Sequence, residues 1–340
     1  MPIDKPAWFR MAQRRPLSAA PDLRRPAPLL FDAEHKPVQT LGAWIKRKVA
    51  LRKSWRLFLG TFDQPRGANT TRVVREDHPA GVTRRLVRYE SEPGEEVEGY
   101  LLIPDPPGQG RPGVVVMHGT NDLTIRQPAG VDGPPETQLG LHLARRGYVV
   151  FCPECFLWRH GKPGKPEVAV QWLKTRHPQA TGMAKMLFDA TRAVDVLAAH
   201  PAVDPRRVGA IGHSLGGKEA LYLAAFDERV RATVASEPGI GLAQSNWDAP
   251  WYLGDAIRKP GFDLDHGQLL GMIAPRAFLL IGGESADGDQ SWPYIGEGLA
   301  VWKLTGETDG VGLYNHRTGH AFPAIAQSHA DEWLDWFLRA

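Results

Sequence analysis

The sequence predicts an α/β protein in which helices cover both faces of a mostly parallel central sheet. Two short apolar runs, residues 113–119 and 148–151, are typical of strands that are buried on both faces. Helical segments alternate with such runs, and the clearest helix begins near Met183, where apolar positions recur at i+3, i+4, i+7, i+11 and i+14. Repeated alternation of strands and helices is the pattern of a parallel sheet. Further strands are predicted at 206–212, 229–236, 276–282 and 311–316.

An antiparallel pair of strands is predicted ahead of this alternating region. Residues 82–91 and 95–104 alternate between apolar and polar side chains, and a turn at residues 92–94 separates them. From residue 82 onward the sequence shows no internal repeat and no linker-like stretch. We therefore expect one domain over residues 81–340.

Residues 1–80 are predicted to form an N-terminal extension. Its first 40 residues are rich in Pro and Arg and have no clear period, which indicates an extended arm. Residues 41–60 predict a basic amphipathic helix. This helix either packs its Trp44 side on the main domain or binds a membrane surface or a partner.

Composition argues against several classes of protein. The net charge of +3, from 41 basic and 38 acidic residues, is too small to indicate a nucleic-acid partner. No run approaches the roughly 20 apolar residues of a membrane-spanning helix, and the N-terminus lacks the apolar core of a signal peptide. The two cysteines, Cys152 and Cys155, provide no disulfide framework, and no second cluster completes a metal site with them. These features favour a cytoplasmic protein without a bound metal.

The most informative motif is Gly212-His213-Ser214-Leu215-Gly216, which fits the pattern G-x-S-x-G. It follows a predicted buried strand and opens a predicted helix, which is the context in which this pattern exposes a nucleophilic serine. The flanking glycines let the strand and the helix approach closely. The helix N-terminus favours negative charge that develops beside the serine. We therefore expect Ser214 to be a nucleophile.

A serine hydroxyl needs a base to take its proton, and His320 is the expected base. It lies in the loop after the last predicted strand, where this arrangement places its histidine. His316 lies at the end of that strand and is the other histidine in this region. We interpret His316 as a structural or supporting residue.

Backbone N–H groups are needed to bind the oxyanion that forms when the serine attacks. We expect one donor from Leu215 and the other from Gly119, Thr120 or Asn121, in the loop after the strand at 113–117. His118, in the same loop, is expected to order it.

The acid that orients the histidine has two candidates. Asp287 follows the predicted strand at 276–282 and gives the chain order serine, aspartate, histidine. Glu237 follows the preceding strand, at 229–236. Adjacent parallel strands end at the same edge of a sheet, so either carboxylate can reach His320. We expect Asp287 to be the acid and keep Glu237 as the alternative.

Together these residues resemble an α/β-hydrolase of the dienelactone-hydrolase and acetyl-xylan-esterase-like group. The resemblance implies the α/β-hydrolase fold for the catalytic domain and a serine carboxylic-ester hydrolase that needs no cofactor. It further implies short acyl or carbohydrate-linked esters as substrates. The segments that carry it are HGT at 118–120, GHSLGGKEA at 212–220, SEPG at 236–239, GGESADGD at 282–289 and GHAFP at 319–323.

A weaker similarity links the sequence to the glucuronoyl esterases. That family has a lysine four residues after the nucleophile, matched here by Lys218, and can carry its acid at the position of Glu237. The sequence departs from it at Leu215, where the family has an arginine that serves the oxyanion. The similarity implies a uronate ester as an alternative substrate.

Four residues are candidates for binding the substrate. Lys218 either contacts the substrate or is a solvated helix residue. The other three, Trp247, Trp251 and Tyr252, either form a lid or stacking wall for a sugar or aryl group, or belong to a buried aromatic cluster under a long loop.

Two other functions are compatible with the same motifs. One is a serine peptidase or amidase, although the sequence has no evident domain for selecting peptides. The other is a member of the fold that binds a ligand without catalysis. Both are alternatives to the expected partner, which is a small-molecule or carbohydrate ester.

Overall fold

The computed structural model describes residues 5–20, 25–60, 62, 70–161 and 165–339 of the chain. Within these residues one sheet of nine strands forms the centre of the molecule. The strands are β1 Arg72–Asp77, β2 Val82–Glu92, β3 Glu95–Pro104, β4 Arg111–Met117, β5 Val149–Pro153, β6 Val203–His213, β7 Val230–Ser236, β8 Ala277–Gly282 and β9 Val311–Asn315.

The sheet is antiparallel at one end and parallel through the rest. Its strand order is β1-β2-β3-β5-β4-β6-β7-β8-β9. The pairings β1–β2, β2–β3 and β3–β5 are antiparallel, and every pairing from β5–β4 to β8–β9 is parallel. The predicted mostly parallel sheet, entered through an antiparallel pair, is confirmed.

Helices cover both faces of this sheet. Because successive side chains of a strand point to opposite faces, Val114 and Val116 of β4 enter one core layer while Val115 and Met117 enter the other. The helices are α1 Phe9–Ala12, α2 Leu41–Leu59, α3 Leu139–Arg145, α4 Phe156–Arg159, α5 Pro166–Arg176, α6 Gly182–Ala198, α7 Leu215–Phe226, α8 His266–Ile273, α9 Trp292–Leu304 and α10 Ala324–Arg339. The first layer is closed by α1, α3 and α10, and the second by α6 and α7.

Helix α2 lies in the N-terminal part of the chain. The Thr40 side chain caps it by accepting a hydrogen bond from the Ala43 amide at 3.2 Å. Trp44 and Trp55 are buried in the same core cluster as side chains of α7 and α8, while Ile45 faces outward and is exposed. The helix therefore contributes to the core, and the division of the chain at residue 80 stays a prediction.

The carboxyl ends of four neighbouring parallel strands meet at one edge of the sheet. His213 at the end of β6 pairs with Ser236 of β7, and Ser236 pairs with Ile281 of β8. Gly282 of β8 then pairs with Asn315 of β9. Residues that directly follow these strands are consequently brought to one place, which is the region of the candidate site.

The crossing from β6 to α7 depends on glycines that admit close backbone contacts. A Cβ added to Gly212 would lie 2.3 Å from the carbonyl carbon of Gly216. A Cβ added to Gly216 would lie 2.3 Å from the Met117 carbonyl oxygen and 3.0 Å from that of His118. The start of α7 therefore lies directly against the end of β4, as the motif predicts.

We expect Gly216→Ala to lower the free energy of unfolding by about 3 kcal/mol, because the added Cβ meets backbone atoms that cannot move aside alone. Gly42→Ala is the control: Gly42 lies in the first turn of α2, and a Cβ there meets no atom within 4 Å. This control should keep or slightly raise the stability. Urea denaturation of both variants measures the difference, and equal effects would contradict the close approach.

Candidate active site

Ser214 lies on the sharp turn between β6 and α7. Its backbone has φ 58° and ψ −116°, a conformation that non-glycine residues rarely adopt and that typically costs about 1–3 kcal/mol. The Ser214 amide donates to the Ser236 carbonyl oxygen at 2.8 Å, which anchors the turn to β7. The turn therefore holds the serine at the edge of the sheet, directly before the N-terminus of α7.

His320 lies in the loop between β9 and α10 and reaches Ser214. Its Nε2 is 2.9 Å from the Ser214 Oγ, and its side chain is 43% exposed. Gly319 has φ 80° and donates its amide to the Gly283 carbonyl oxygen at 2.7 Å, which fixes the loop to the end of β8. His316 instead faces Thr318, whose hydroxyl lies 2.6 Å from its Nδ1.

Glu237, directly after β7, lies on the other side of the His320 ring. Its Oε2 is 3.1 Å from the His320 Nδ1. A carboxylate at Nδ1 holds the proton on that nitrogen, so Nε2 is free to accept the proton of the serine. Ser214, His320 and Glu237 thus form one continuous chain of hydrogen bonds.

The Glu237 carboxylate is buried and strongly hydrogen-bonded. Backbone amides of the loop after β8 donate to it, from Gly283, from Ala286 at 2.6 Å and from Asp287 at 3.4 Å. Burial acts to raise the pKa of Glu237, but the hydrogen bonds from His320 and these amides outweigh it and hold the pKa below the ordinary value. The residue is therefore ionised where it orients the imidazole.

Asp287, the expected acid, has other partners. Its carboxylate accepts from the amides of Gly239 at 2.5 Å and Ile240 at 2.9 Å, and from the Ser291 hydroxyl at 2.7 Å. Among the described residues it makes no hydrogen bond with His320. Burial raises the pKa of Asp287 to about 6, although the Ile240 amide and the Ser291 hydroxyl lower it in part.

The Glu237 and Asp287 carboxylates connect the loops after β7 and β8, because each accepts hydrogen bonds from backbone amides of the other's loop. Glu237, in the loop after β7, binds amides of the loop after β8, and Asp287, in the loop after β8, binds amides of the loop after β7. The amides of residues 239 and 240 turn Asp287 away from His320. This backbone arrangement is the physical reason that Glu237 and not Asp287 lies against the histidine.

The opposite pKa directions of these carboxylates lead to opposite effects of pH on stability. The pKa of Glu237 is lowered, so the stability it contributes is present above its ordinary value of 4.5 and is lost as the pH falls through the folded-state value. The pKa of Asp287 is raised, so the stability it contributes is fully present below 3.8 and is lost as the pH rises through about 6.

We therefore expect acidification from about pH 7 to about pH 3 to lower the unfolding free energy of the wild type relative to that of Glu237→Gln. The same acidification should raise the unfolding free energy of the wild type relative to that of Asp287→Asn, because Asp287 of the wild type then becomes protonated. Denaturant titrations of the three proteins across this range measure both differences. Trends of the same sign for both variants would contradict the assignment.

The loop after β4 is ordered by His118. Its Nε2 accepts a hydrogen bond from the Cys155 amide at 3.2 Å, so Nδ1 carries the proton and donates to the Gly119 carbonyl oxygen at 2.9 Å. Burial lowers the pKa of His118 to about 4 and keeps the ring neutral. The Asn121 side chain donates to the same carbonyl oxygen at 3.2 Å.

These contacts fix the peptide between Gly119 and Thr120. The carbonyl of a trans peptide points away from its N–H group, so the Thr120 amide faces the side opposite His118 and Asn121. Among the described residues, the Thr120 amide donates to no protein acceptor, and the Leu215 amide lies in the first turn of α7, where no intrahelical acceptor exists. Both amides are thus available to a ligand beside Ser214.

Two cavities flank Ser214 and His320. One, of about 630 Å³, extends past Met117, Leu139 and Phe322, and we call it the Phe322 cavity. The other, of about 470 Å³, extends past Lys218, and we call it the Lys218 cavity. Ser214, His320 and Thr120 line both, so a ligand whose reacting atom lies at Ser214 can extend in two directions.

Lys218 is one helical turn after the serine and is only 3% exposed, so it is not a solvated helix residue. Its Nζ donates to the Pro238 carbonyl oxygen at 2.6 Å and to the Ser245 hydroxyl at 2.7 Å. It also lies 3.9 Å from the centre of the Trp247 ring. Burial lowers the pKa of Lys218 to about 7, an effect that Asp287 partly offsets.

The structure does not bring the two candidate tryptophans into these cavities. Trp247 is fully buried beneath Lys218, and its indole N–H donates to the Gly239 carbonyl oxygen at 2.6 Å. Trp251 is partly buried against the core cluster. Tyr252, the third aromatic candidate of this loop, does line the Lys218 cavity, together with Gln244 and Ser245. Nothing in the local sequence of Gln244 and Ser245 marks them, because only the folded loop places them beside Lys218.

The described residues contain neither a metal-binding cluster nor a membrane-spanning helix. In the described part of the chain, no group of three or more His, Cys, Asp or Glu side chains has the arrangement of a metal site. The same residues include no helix that is long and apolar enough to cross a membrane. Cys152 and Cys155 are both buried free thiols.

Comparison with known proteins points to ester hydrolases. Residues 97–249 match the model of the dienelactone hydrolase family. The 4-O-methyl-glucuronoyl methylesterase 1 of Sodiomyces alcalophilus is 28% identical over 165 residues, which cover 39% of this chain and 33% of that protein. The chain therefore spans about a third of the length of this curated relative.

Solved structures resemble the chain over most of its length. A glucuronoyl esterase from Solibacter usitatus has a TM-score of 0.74 at 17% identity, covering 92% of this chain and 99% of that one. A protein from Bacteroides fragilis described as an acetyl xylan esterase has a TM-score of 0.62 at 14% identity, covering 81% and 76%. Identities this low show a common fold. Together with the nucleophile turn and the match to the dienelactone hydrolase model, these likenesses show that the chain has the α/β-hydrolase fold.

Proposed function

We propose that the chain is a serine carboxylic-ester hydrolase that acts on carbohydrate-linked esters. The observation that carries the proposal is the chain of hydrogen bonds from the Ser214 Oγ to the His320 Nε2 at 2.9 Å and from the His320 Nδ1 to the Glu237 Oε2 at 3.1 Å. This geometry activates a serine hydroxyl for acyl transfer. An unreactive serine on a strand–helix turn would need neither an aligned base nor a buried acid behind it.

The proposed reaction has two halves. His320 takes the Ser214 proton as the Oγ attacks the ester carbonyl, and the oxyanion is held by the amides of Leu215 and Thr120. The tetrahedral intermediate collapses, the carbon–oxygen bond breaks, and the alcohol leaves with the proton from His320. Water then loses a proton to His320 as it attacks the acyl-enzyme, and the carboxylic acid departs while Ser214 regains its proton.

We assign the acid to Glu237. Support comes from its contact with the His320 Nδ1 and from its lowered pKa, which keep it ionised as the imidazolium forms beside it. Asp287 supports the Glu237 turn through the amides of residues 239 and 240. In this assignment Asp287 is a positioning residue and does not touch the reacting atoms.

The carbohydrate part of the substrate is proposed to occupy the Lys218 cavity. Its walls present the Lys218 ammonium, the Ser245 hydroxyl and the side chains of Gln244 and Asn246, a polar set suited to sugar hydroxyls. The Phe322 cavity would then take the other half of the ester. Similarity to enzymes described as glucuronoyl and acetyl xylan esterases supports a sugar ester.

A uronate ester is the second candidate within this class. Two observations favour it: Lys218 is buried beside Ser214 rather than solvated, and Glu237 contacts His320. Lys218 and Glu237 are the two positions at which the sequence resembles glucuronoyl esterases. Leu215 supplies only its backbone amide to the oxyanion, so the reaction relies on two amide donors in either case.

A substrate panel tests the proposal. Acetylated xylose, methyl glucuronate, methyl ferulate and p-nitrophenyl octanoate should be turned over with the two sugar esters preferred, and Ser214→Ala should lower every rate by about 10⁶-fold. A matched anilide should react far more slowly than its ester. Absence of esterase activity in folded protein, or faster turnover of the anilide, would overturn the proposal. The cytoplasmic location stays a prediction, and cell fractionation is its test.

A further inference from the structure

Helix α2 has an outward face that no step of the proposed reaction uses. Its inward side is fixed to the rest of the protein: Trp44 and Trp55 are buried, and the Trp55 indole N–H donates to the Gln268 side-chain oxygen at 3.1 Å. Lys48 also points inward, since its Nζ donates to the Ala274 carbonyl oxygen at 3.2 Å. These contacts set the rotation of α2 about its axis, so its opposite face is held towards solvent.

Four apolar side chains lie on this outward face. Each is between 50% and 82% exposed, and their spacing in multiples of four residues places them in one row along the helix: Leu41, Ile45, Val49 and Leu57. Single exposed apolar residues are ordinary on a protein surface, whereas several on one helix face indicate a surface that binds a partner.

The same face is strongly basic. Helix α2 contains six lysine or arginine residues and no aspartate or glutamate. Arg52 pairs with Glu228 at 3.2 Å, whereas Lys46, Lys53 and Arg56 are exposed. Among the residues that the structure describes, none of these three side chains forms an ion pair or a hydrogen bond. We call the three basic residues and the apolar row together the outer α2 face.

A helix face that mixes apolar and basic side chains matches an anionic phospholipid surface. Lysine and arginine side chains reach lipid phosphates with their charged ends, while the apolar side chains beside them enter the boundary with the acyl chains. A second copy of the chain fits less well, because face-to-face contact would bring two basic helices without acidic residues together. Nucleic acid would engage the charges but leave the apolar row in water.

The outer α2 face is separate from the catalytic residues. Arg52 donates to the Phe226 carbonyl oxygen at 2.9 Å, and Phe226 is the last residue of α7, whereas Ser214 directly precedes the first. Because α7 has 12 residues, this contact lies about 18 Å from the serine along the helix. Substitutions on the outer α2 face should therefore leave the chemistry at Ser214 intact.

We propose that the outer α2 face docks the protein on an anionic phospholipid surface. The three basic side chains bind lipid phosphates, and the apolar row enters the interface beside them. The protein then lies on the bilayer surface, since none of the described helices is long and apolar enough to cross it. This inference does not depend on the proposed function.

Vesicle sedimentation of the full-length wild type tests the docking. Vesicles of phosphatidylcholine alone are compared with vesicles that also contain about 30% phosphatidylglycerol. We expect binding to the anionic vesicles to be tighter by roughly tenfold or more. Raising the NaCl concentration from about 0.1 M to about 0.5 M should weaken that binding, because salt screens the attraction.

A charge variant measures the contribution of the basic residues. It replaces the three exposed basic side chains of the outer α2 face with glutamine: Lys46→Gln, Lys53→Gln and Arg56→Gln. Binding to anionic vesicles should weaken about a hundredfold, or about fivefold for each charge removed. The fold should be kept, since the replaced side chains are exposed and glutamine is a good helix former.

The matched control removes the same positive charge from other exposed arginines: Arg10→Gln, Arg14→Gln and Arg145→Gln. Two of these lie in α1 and α3, which belong to a different core cluster from α2. The control variant should bind anionic vesicles as the wild type does. A loss equal to that of the charge variant would mean that net charge alone drives binding, and would overturn the inference.

An apolar variant, with Ile45→Gln, Val49→Gln and Leu57→Gln, keeps every charge and should bind anionic vesicles about tenfold more weakly. Unchanged binding of this variant would overturn the inference, because an acidic polymer would then serve as well as lipid. A wild type that is dimeric without vesicles, and monomeric as the apolar variant, would overturn it in favour of a second copy.

Equal binding of the folded wild type to both kinds of vesicle, or binding to neither, would also overturn the inference. Thermal unfolding of each variant checks the fold. The kcat/KM for a soluble ester should stay within about twofold of the wild type in all of them. Absence of esterase activity would overturn the proposed function alone, because vesicle binding is measured without turnover.

Discussion

Ser214→Ala is expected to lower kcat for sugar esters by about 10⁶-fold, the loss typical of removing a serine nucleophile. Without the Oγ no acyl-enzyme can form, and His320 loses the hydroxyl that lies 2.9 Å from its Nε2. The backbone should be unchanged, because alanine at this position keeps the φ of 58° and the amide hydrogen bond to Ser236. Steady-state kinetics at high enzyme concentration measure the residual rate.

A matched serine variant separates loss of the nucleophile from general damage. Ser54→Ala removes an exposed hydroxyl on α2 and should keep wild-type kinetics. A fluorophosphonate probe should label the wild type and Ser54→Ala but not Ser214→Ala. Activity of Ser214→Ala above about 1% of wild type, with thermal stability unchanged, would mean that another group is the nucleophile.

The parts of the molecule that depend on local patterns could be predicted from the sequence. Apolar runs and helical periods predict the sheet and its helices. The turn around Ser214 is marked by glycines at fixed offsets, because the helix must approach β4 within distances that only glycine permits. The structure brings Ser214 and His320 together as expected from their positions after β6 and β9.

Which carboxylate lies against His320 depends on features that no local pattern reveals. Glu237 and Asp287 follow neighbouring parallel strands, and both have the charge and reach to serve His320. What separates them is the set of amides that each carboxylate meets, together with the φ of 51° at Glu237. Such geometry is set by two loops packed on each other, so it appears only in the folded structure.

Whether Trp247 lines a cavity or fills the core could not be predicted from the sequence for a similar reason. An aromatic residue in a long loop can line a cavity or fill the core. For Trp247 the outcome depends on Lys218, whose buried ammonium lies over its ring, and on His266, whose ring centre is 4.4 Å away. These partners come from α7 and α8, far from Trp247 in sequence.

Glu237→Gln is expected to lower kcat by on the order of 10⁴-fold, while Asp287→Asn lowers it by only about tenfold. A glutamine at position 237 can donate its amide hydrogens to the His320 Nδ1. It then favours the tautomer whose proton is on Nε2, which faces Ser214 and can no longer act as a base.

Asp287→Asn should act mainly on stability. The asparagine has one side-chain oxygen for the amides of Gly239 and Ile240 and the Ser291 hydroxyl, so at least one buried donor loses its partner. That loss typically costs about 1–3 kcal/mol and loosens the turn that carries Glu237. The smaller fall in kcat follows from this loosening and not from a change at His320.

The double variant separates an acid from a residue that positions it. If Asp287 acts only by holding Glu237, adding Asp287→Asn to Glu237→Gln should leave kcat close to that of Glu237→Gln, because the residue being positioned has already lost its function. If Asp287 were the acid, Asp287→Asn alone would cause the 10⁴-fold loss and Glu237→Gln the mild one. Kinetics of the three variants, each with its unfolding free energy measured, distinguish these outcomes, since only one carboxylate can hold the proton on the His320 Nδ1.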